Sequence, residues 1–310
     1  MKMTQLYLLL GAAVMTIGAA ERPPTTPPSE PEIVVRGAPT PKEARTVASQ
    51  FTQSVAGGPI ARWNGWLCFS VEGLSQDQSA VLLGRIKKNA ADLGLRINDN
   101  PSCTWNVLIG FTSDADTLAA RLVKEHPGLF RDYIRYGLAS HHDRDVLAAP
   151  RPVRWLPVER SISAVGTGAG VDNEDASHID DSSHISTNFR SDKSAEIIIV
   201  DPQRIAGVSW QQLADYLSMV ILTDPGMDES FTGDSSIMSI FAERDQGRAG
   251  PPELTIQDQR LLRGYYRFDP YLPPHQQIAT IAQSLRTALP ASSGQPGPAE
   301  PDPAGSQPEK

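Results

Sequence analysis

The chain reads as an α+β protein in which a small mixed sheet is packed against helices. Three observations predict this class. Four stretches open with a helix-capping signal ahead of an apolar stripe, at Thr40, Ser75, Ser209 and Thr255. Short β-prone runs lie between them, TWNVLIGF at 104–111 and EIIIV at 196–200. Hydrophobic residues make up 40% of the 310, enough for an ordinary core, while 26 prolines put part of the length outside it.

In chain order, residues 1–20 (MKMTQLYLLLGAAVMTIGAA) place Lys2 before an apolar run from Leu6 to Ala20, with small residues at Gly18 and Ala20. This is the pattern of a signal peptide cleaved near Ala20. The run is short and broken by Gly11 and Gly18, whereas a spanning helix needs roughly 20 apolar residues. The expected location is therefore periplasmic or secreted, with no stable membrane span after cleavage. Residues 21–39 form a Pro-rich linker. Inside it Glu32 to Gly37 (EIVVRG) is a β-prone island. It resembles the EIVVTG-type segment near the mature N-terminus of many TonB-dependent outer-membrane receptors, with Arg36 where those carry Thr. The resemblance implies an envelope partner bound by strand addition. A receptor barrel needs far more strands than this length holds, so a strand docked on its own domain is the preferred reading.

Residues 40–160 read as an N-terminal α/β part. Thr40 caps a helix with Pro41 in its first turn and Glu43 reaching back, and Ala44, Val47, Phe51 and Val55 share its inner face. WNGWLCF at 63–69 reads as one strand. Ser75 with Gln78 opens a helix to about Leu93, lined by Leu82, Leu83, Ile86 and Ala90. Leu95 to Ile97 and Thr104 to Phe111 are short strands, and Ser113 opens a third helix through Leu118, Leu122 and Val123. This order predicts a small sheet with helices on one side. Gly128 to Gly137 reads as helical, SHHDRD at 140–145 as a polar loop, and RPVRWLP at 151–157 as extended. Residues 161–194 read as a mobile acidic loop. Residues 195–288 form the C-terminal strand-helix part: EIIIVD, a helix capped by Ser209 with Gln212, a buried SIMSIF at 236–241, a polar loop ERDQGRAGPPE, a helix from Thr255 and a last helix from Pro274. Residues 289–310, rich in Pro, Gly and Ser, read as a disordered tail.

Cys68 and Cys103, an even pair in an oxidising compartment, are expected to form a disulfide. The formal charge of -8 becomes one unit more negative when Lys2 leaves with the signal. An acidic chain without a basic stripe is a poor partner for nucleic acid or anionic membrane.

Candidate chemistry is sparse. His178, His184, Asp180 and Asp181, with Asp172 and Asp175 nearby, are ligand types suited to a divalent metal. Their order lacks the glycine and terminal glutamate of a calcium loop, and a solvated acidic loop is preferred. His141 and His142 are adjacent and point in different directions, so one metal does not readily use both. The central helix carries Gln211, Asp215 and Ser218 as polar positions. There is no G-x-S-x-G elbow and no phosphate loop, and GTGAG at 166–170 follows no convincing strand.

The strand ending in VD, the helix LADYLSMVIL, SIMSIF and LTIQDQRLLRGYY resemble, over about residues 195 to 270, a secreted alphaproteobacterial family common in sphingomonad-type bacteria. More distantly they are similar to zincin-like zinc peptidases of unknown function, in which a helix with a His-Glu start precedes an SIF-type segment and an LT-x-x-D-x-x-LL helix. The resemblance implies a degenerate zincin-like C-terminal half. Zinc hydrolysis needs imidazoles and a carboxylate on one helix face. Here the matching positions are Ala214, Asp215 and Ser218, so the metal motif is lost and no catalytic residue is assigned. The expected function is a non-catalytic binding or scaffold protein without a cofactor. The alternative is a metal-dependent hydrolase whose ligands lie outside the central helix.

Overall fold

The computed structural model describes residues 38–53, 58–125, 141–163, 187–233 and 235–287, with the side chains of residues 141–143 and 163 excepted. The described residues belong to the unit Ala38–Lys310. The signal segment, Glu32 to Gly37, the expected helix at 128–137, most of the acidic loop and the tail from 288 onward lie outside the described residues.

Helix formation follows the capping signals. Helix α1 (Pro41–Gln50), α2 (Gln76–Ala91), α5 (Trp210–Leu222) and α7 (Ile256–Tyr265) each begin with a complete capping box, at Thr40/Glu43, Ser75/Gln78, Ser209/Gln212 and Thr255/Asp258. Each box satisfies two backbone N–H groups that the first turn leaves without helical partners. Between them lie α3 (Ala115–Glu125), α4 (His141–Ala148) and α6 (Ile240–Asp245), the last entered through a 3-10 turn at Ile237–Ser239. Helix α8 (Pro274–Arg286) closes the described chain.

A four-stranded sheet has the order β2-β4-β6-β5. Strands β2 (Phe69–Glu72), β4 (Val107–Phe111) and β6 (Phe189–Val200) are parallel, and β5 (Val153–Ser163) runs antiparallel to β6. A separate parallel pair joins β1 (Trp66–Leu67) to β3 (Arg96–Ile97). Alternation along the strands gives the sheet two buried faces. Val107, Ile109, Ile198, Val200, Val153 and Trp155 face the main core with the apolar side of α5, while Leu156 and Ile197 pack with Leu147 of α4 and Val123 of α3. The expectation of helices on one side is thus corrected: α3 and α4 cover the second face. Arg154 explains how they are held. Its buried guanidinium donates to the carbonyls of Leu147 (2.9 Å) and Ala149 (2.9 Å) at the end of α4, to Arg151 O (3.2 Å) and to Asp116 of α3. Arg204 ties the same Asp116 to Asp201 at the end of β6.

Five further expectations are corrected. The stretch 63–69 is not one strand: Cys68 leaves the ladder to meet Cys103, and β1 and β2 enter different sheets. The acidic loop assigned to 161–194 is narrower, because residues 161–163 end β5 and residues 189–194 begin β6. Their charges are accommodated by pairing, with Arg190 against Asp192 and Asp192 against Asn64. The polar loop at 140–145 is mostly helical, since α4 starts at His141. SIMSIF continues as helix to Asp245, where Arg248 closes on Glu243 before the loop starts. The division at about residue 195 does not separate two sheets, because β4 and β6 share five register pairs from Val107↔Glu196 to Phe111↔Val200.

Candidate functional site

Asp215 sits mid-way along α5 and is fully buried. It faces α2 because α2 and α5 pack side by side, and the polar stripe of α5 lies in that seam. Arg85 of α2 grips it in a fork, Nε to Oδ1 at 2.8 Å and Nη2 to Oδ2 at 2.8 Å. Asn89 Nδ2 donates to Oδ1 at 2.7 Å and the Leu254 backbone N–H to Oδ2 at 2.9 Å. Each carboxylate oxygen therefore accepts two hydrogen bonds, which is a closed arrangement for a buried carboxylate. The Asp215 hydrogen bonds hold the Arg85 guanidinium above its ordinary range. Ser218, one turn on, accepts from Asn89 Nδ2 at 2.9 Å and donates to Ala214 O at 2.7 Å. Ala214 and Ser218, on either side of this stretch, thus offer a methyl group and a hydroxyl already in use.

Above this floor opens a cleft of about 270 Å³ lined by Arg85, Lys88, Asn89, Glu253, Gln259 and Arg263, among others. Three cations, Arg85, Lys88 and Arg263, meet three carboxylates, Asp92, Asp215 and Glu253, but two of the carboxylates fall on Arg85. Arg85 is bound by Asp215 and by Glu253 at 3.1 Å, and Lys88 pairs with Asp92 at 2.6 Å. Arg263, in the last turn of α7, has no hydrogen bond or ion pair among the described residues. The cleft carries no net charge, and within it Arg263 is the cation that no carboxylate among the described residues contacts.

A second polar centre has little trace in the sequence. Lys193 of β6 is fully buried and forms an ion pair with fully buried Glu196 at 2.5 Å. Its ammonium also donates to the carbonyls of Thr223 (2.7 Å), Ile221 (3.1 Å) and Val220 (3.4 Å), the negative end of α5. Glu159 stands opposite Lys193 across the β5–β6 ladder and accepts from Ser191 Oγ at 3.0 Å. Asp224 follows directly after Thr223 and is buried. Trp63 Nε1 donates to Ile221 O at 2.7 Å, Tyr266 to Leu222 O at 2.9 Å and Tyr265 to Ala61 O at 2.8 Å, sealing the centre. Burial pushes Glu196 up to about 7, and pushes Glu159 and Asp224 upward as well. A lysine inside a run of Ser, Asp and Arg reads as solvated; its only sequence signal is the strand alternation that places Ser191 and Lys193 on one face.

Asp215 and the histidine pair belong to different layers: α5 lies over the main core and α4 over the second face of the sheet. The side chains of His141 and His142, and all of His178, Asp180, Asp181 and His184, lie outside the described residues. Among the described residues, no group of three or more His, Cys, Asp or Glu is placed to hold a metal ion. Cys68 and Cys103 form a disulfide. Among the described residues, no helix is long and apolar enough to cross a membrane. No protein-family model, curated protein or solved structure matches the chain.

Proposed function

We propose that the protein is a non-catalytic binding protein of the periplasm or exterior, with the cleft over Asp215 as its ligand seat. The observation that carries this reading is the fourfold saturation of Asp215. A general base must have a free lone pair within reach of a substrate proton, and both oxygens of Asp215 are committed to Arg85, Asn89 and Leu254 N. The carboxylate instead anchors Arg85, and with it the floor of the cleft. The volume, about 270 Å³, sits at the low end of small-molecule pockets. Arg263 is the open cationic group, so the ligand class is a small carboxylate- or phosphate-bearing anion. Export is supported by the signal-like residues 1–20 and by the disulfide, since disulfides persist in oxidising compartments.

The test is a calorimetric titration of the full chain with citrate and, separately, with inorganic phosphate. The expected result is saturable binding of one of them, lost in Arg263→Ala while the unliganded variant melts as the parent does. No binding of either anion, or equal binding by Arg263→Ala, contradicts the assignment of the cleft.

A further inference from the structure

The centre around Lys193 holds more acids than bases. Three carboxylates, Glu159, Glu196 and Asp224, share one ammonium, and that ammonium is already held by three carbonyls at the end of α5. Oε2 of Glu196 meets the ammonium at 2.5 Å, whereas Oε1 of Glu196 and Oε1 of Glu159 accept no hydrogen bond and are sealed from solvent. A buried carboxylate that is ionised without hydrogen-bond partners is strongly disfavoured, and the usual relief is to take up a proton. The groups facing the centre from the other elements offer no second cation. Tyr265 at the end of α7 and Tyr266 directly after it are neutral phenols donating to Ala61 O and Leu222 O. Arg62 is engaged with Phe268, donating to its carbonyl at 2.8 Å and stacking on its ring at 4.8 Å, and its charge interacts with Asp192 and Tyr266.

We propose that this centre is a proton-operated latch: protons held on the Glu159/Glu196/Asp224 group fasten the β5–β6 ribbon to the C-terminal end of α5, and their loss loosens it. The elements it joins explain the consequence. Glu159 and Lys193 sit beside the register shift at Val158/Glu159, where the ladder is already irregular. Thr223 and Asp224 lead out of α5 into the bridge with Thr52, so the latch also fixes the exit of the central helix. Repulsion between ionised Glu159 and Glu196 acts across that joint.

The sign follows from linkage. A carboxylate raised in the folded state adds stability that is complete below its unfolded value, and that stability is lost as pH rises through the folded one. For Glu196 the window runs from the ordinary 4.5 to about 7. Burial moves Glu159 and Asp224 in the same direction. Melting curves of the full chain between pH 5 and 8 test this. The melting temperature should fall with rising pH by roughly 3–5 °C for each pH unit over which one group titrates. Asp258 is a separate buried acid whose burial also raises it, so the slope is assigned by Glu159→Gln and Glu196→Gln. Each variant should flatten the slope, and a flat or rising parent curve, or unchanged slopes in both variants, overturns the proposal. Difference infrared spectra provide a readout independent of variant folding. A protonated-carboxylic-acid carbonyl band should be present at pH 6 and gone at pH 9, and its absence at pH 6 overturns it too.

Discussion

At the residue scale the decisive group is Asp215. Its position on α5 is legible from the sequence, as is the presence of Ala214 and Ser218, and not histidines, beside it. Its role is not, because Arg85 lies 130 residues earlier and no local pattern couples the two. The same holds for Lys193: its sequence neighbours are polar, and only the fold puts it under α5. Removing the Asp215 carboxylate leaves Arg85, 29% exposed, partly in water, so the cost is below that of a fully buried pair. Asp215→Ala should destabilise the fold by about 2–3 kcal/mol in denaturant titration. An unchanged midpoint would mean that Asp215 does not hold α2 and α5 together.

At the scale of elements, the helices are plain in the sequence and the sheet less so. Capping boxes are local, so Thr40, Ser75, Ser209 and Thr255 announce α1, α2, α5 and α7 within a few residues. Strand β6 shows only from Glu196 onward, since its first half carries Arg190, Asp192 and Lys193. Those charges are satisfied by cross-strand and through-core partners that a linear reading does not contain. Asp258 shows how a capping residue can do more than cap. It accepts from Ser236 Oγ at 2.6 Å and Ile237 N at 2.9 Å as well as from Thr255, fastening the 3-10 turn to α7. Gly73, between β2 and α2, has φ +84° and its added Cβ would stand 2.1 Å from Phe111 O, so Gly73→Ala should cost about 1–3 kcal/mol by thermal or chemical denaturation. The Cys68–Cys103 bridge spans a separation of 35 residues, and reducing it should lower stability by about 3–4 kcal/mol in the loop-entropy picture. Titration of two free thiols in the unreduced protein would contradict the bridge.

At the scale of the whole molecule, acids gripped by guanidinium groups and acids buried with too few partners work in opposite directions. Hydrogen bonds from Arg204 and Arg154 hold Asp116 below the ordinary carboxylate range, and Arg248 does the same for Glu243. Their contributions are present above that range and disappear as pH falls through it. Glu196 and its neighbours contribute most at low pH and lose that contribution toward neutrality. The stability profile should therefore peak at mildly acidic pH, and a maximum above pH 8 would contradict the assignment of both sets.

Whether the protein is a non-catalytic binding protein or a metal-dependent hydrolase with ligands outside α5 is tested most directly by elemental analysis. The purified, zinc-equilibrated chain is measured beside its His178→Ala/His184→Ala variant. The binding-protein reading predicts substoichiometric zinc, the same in both proteins, whereas one zinc per chain that disappears with the two histidines would contradict it.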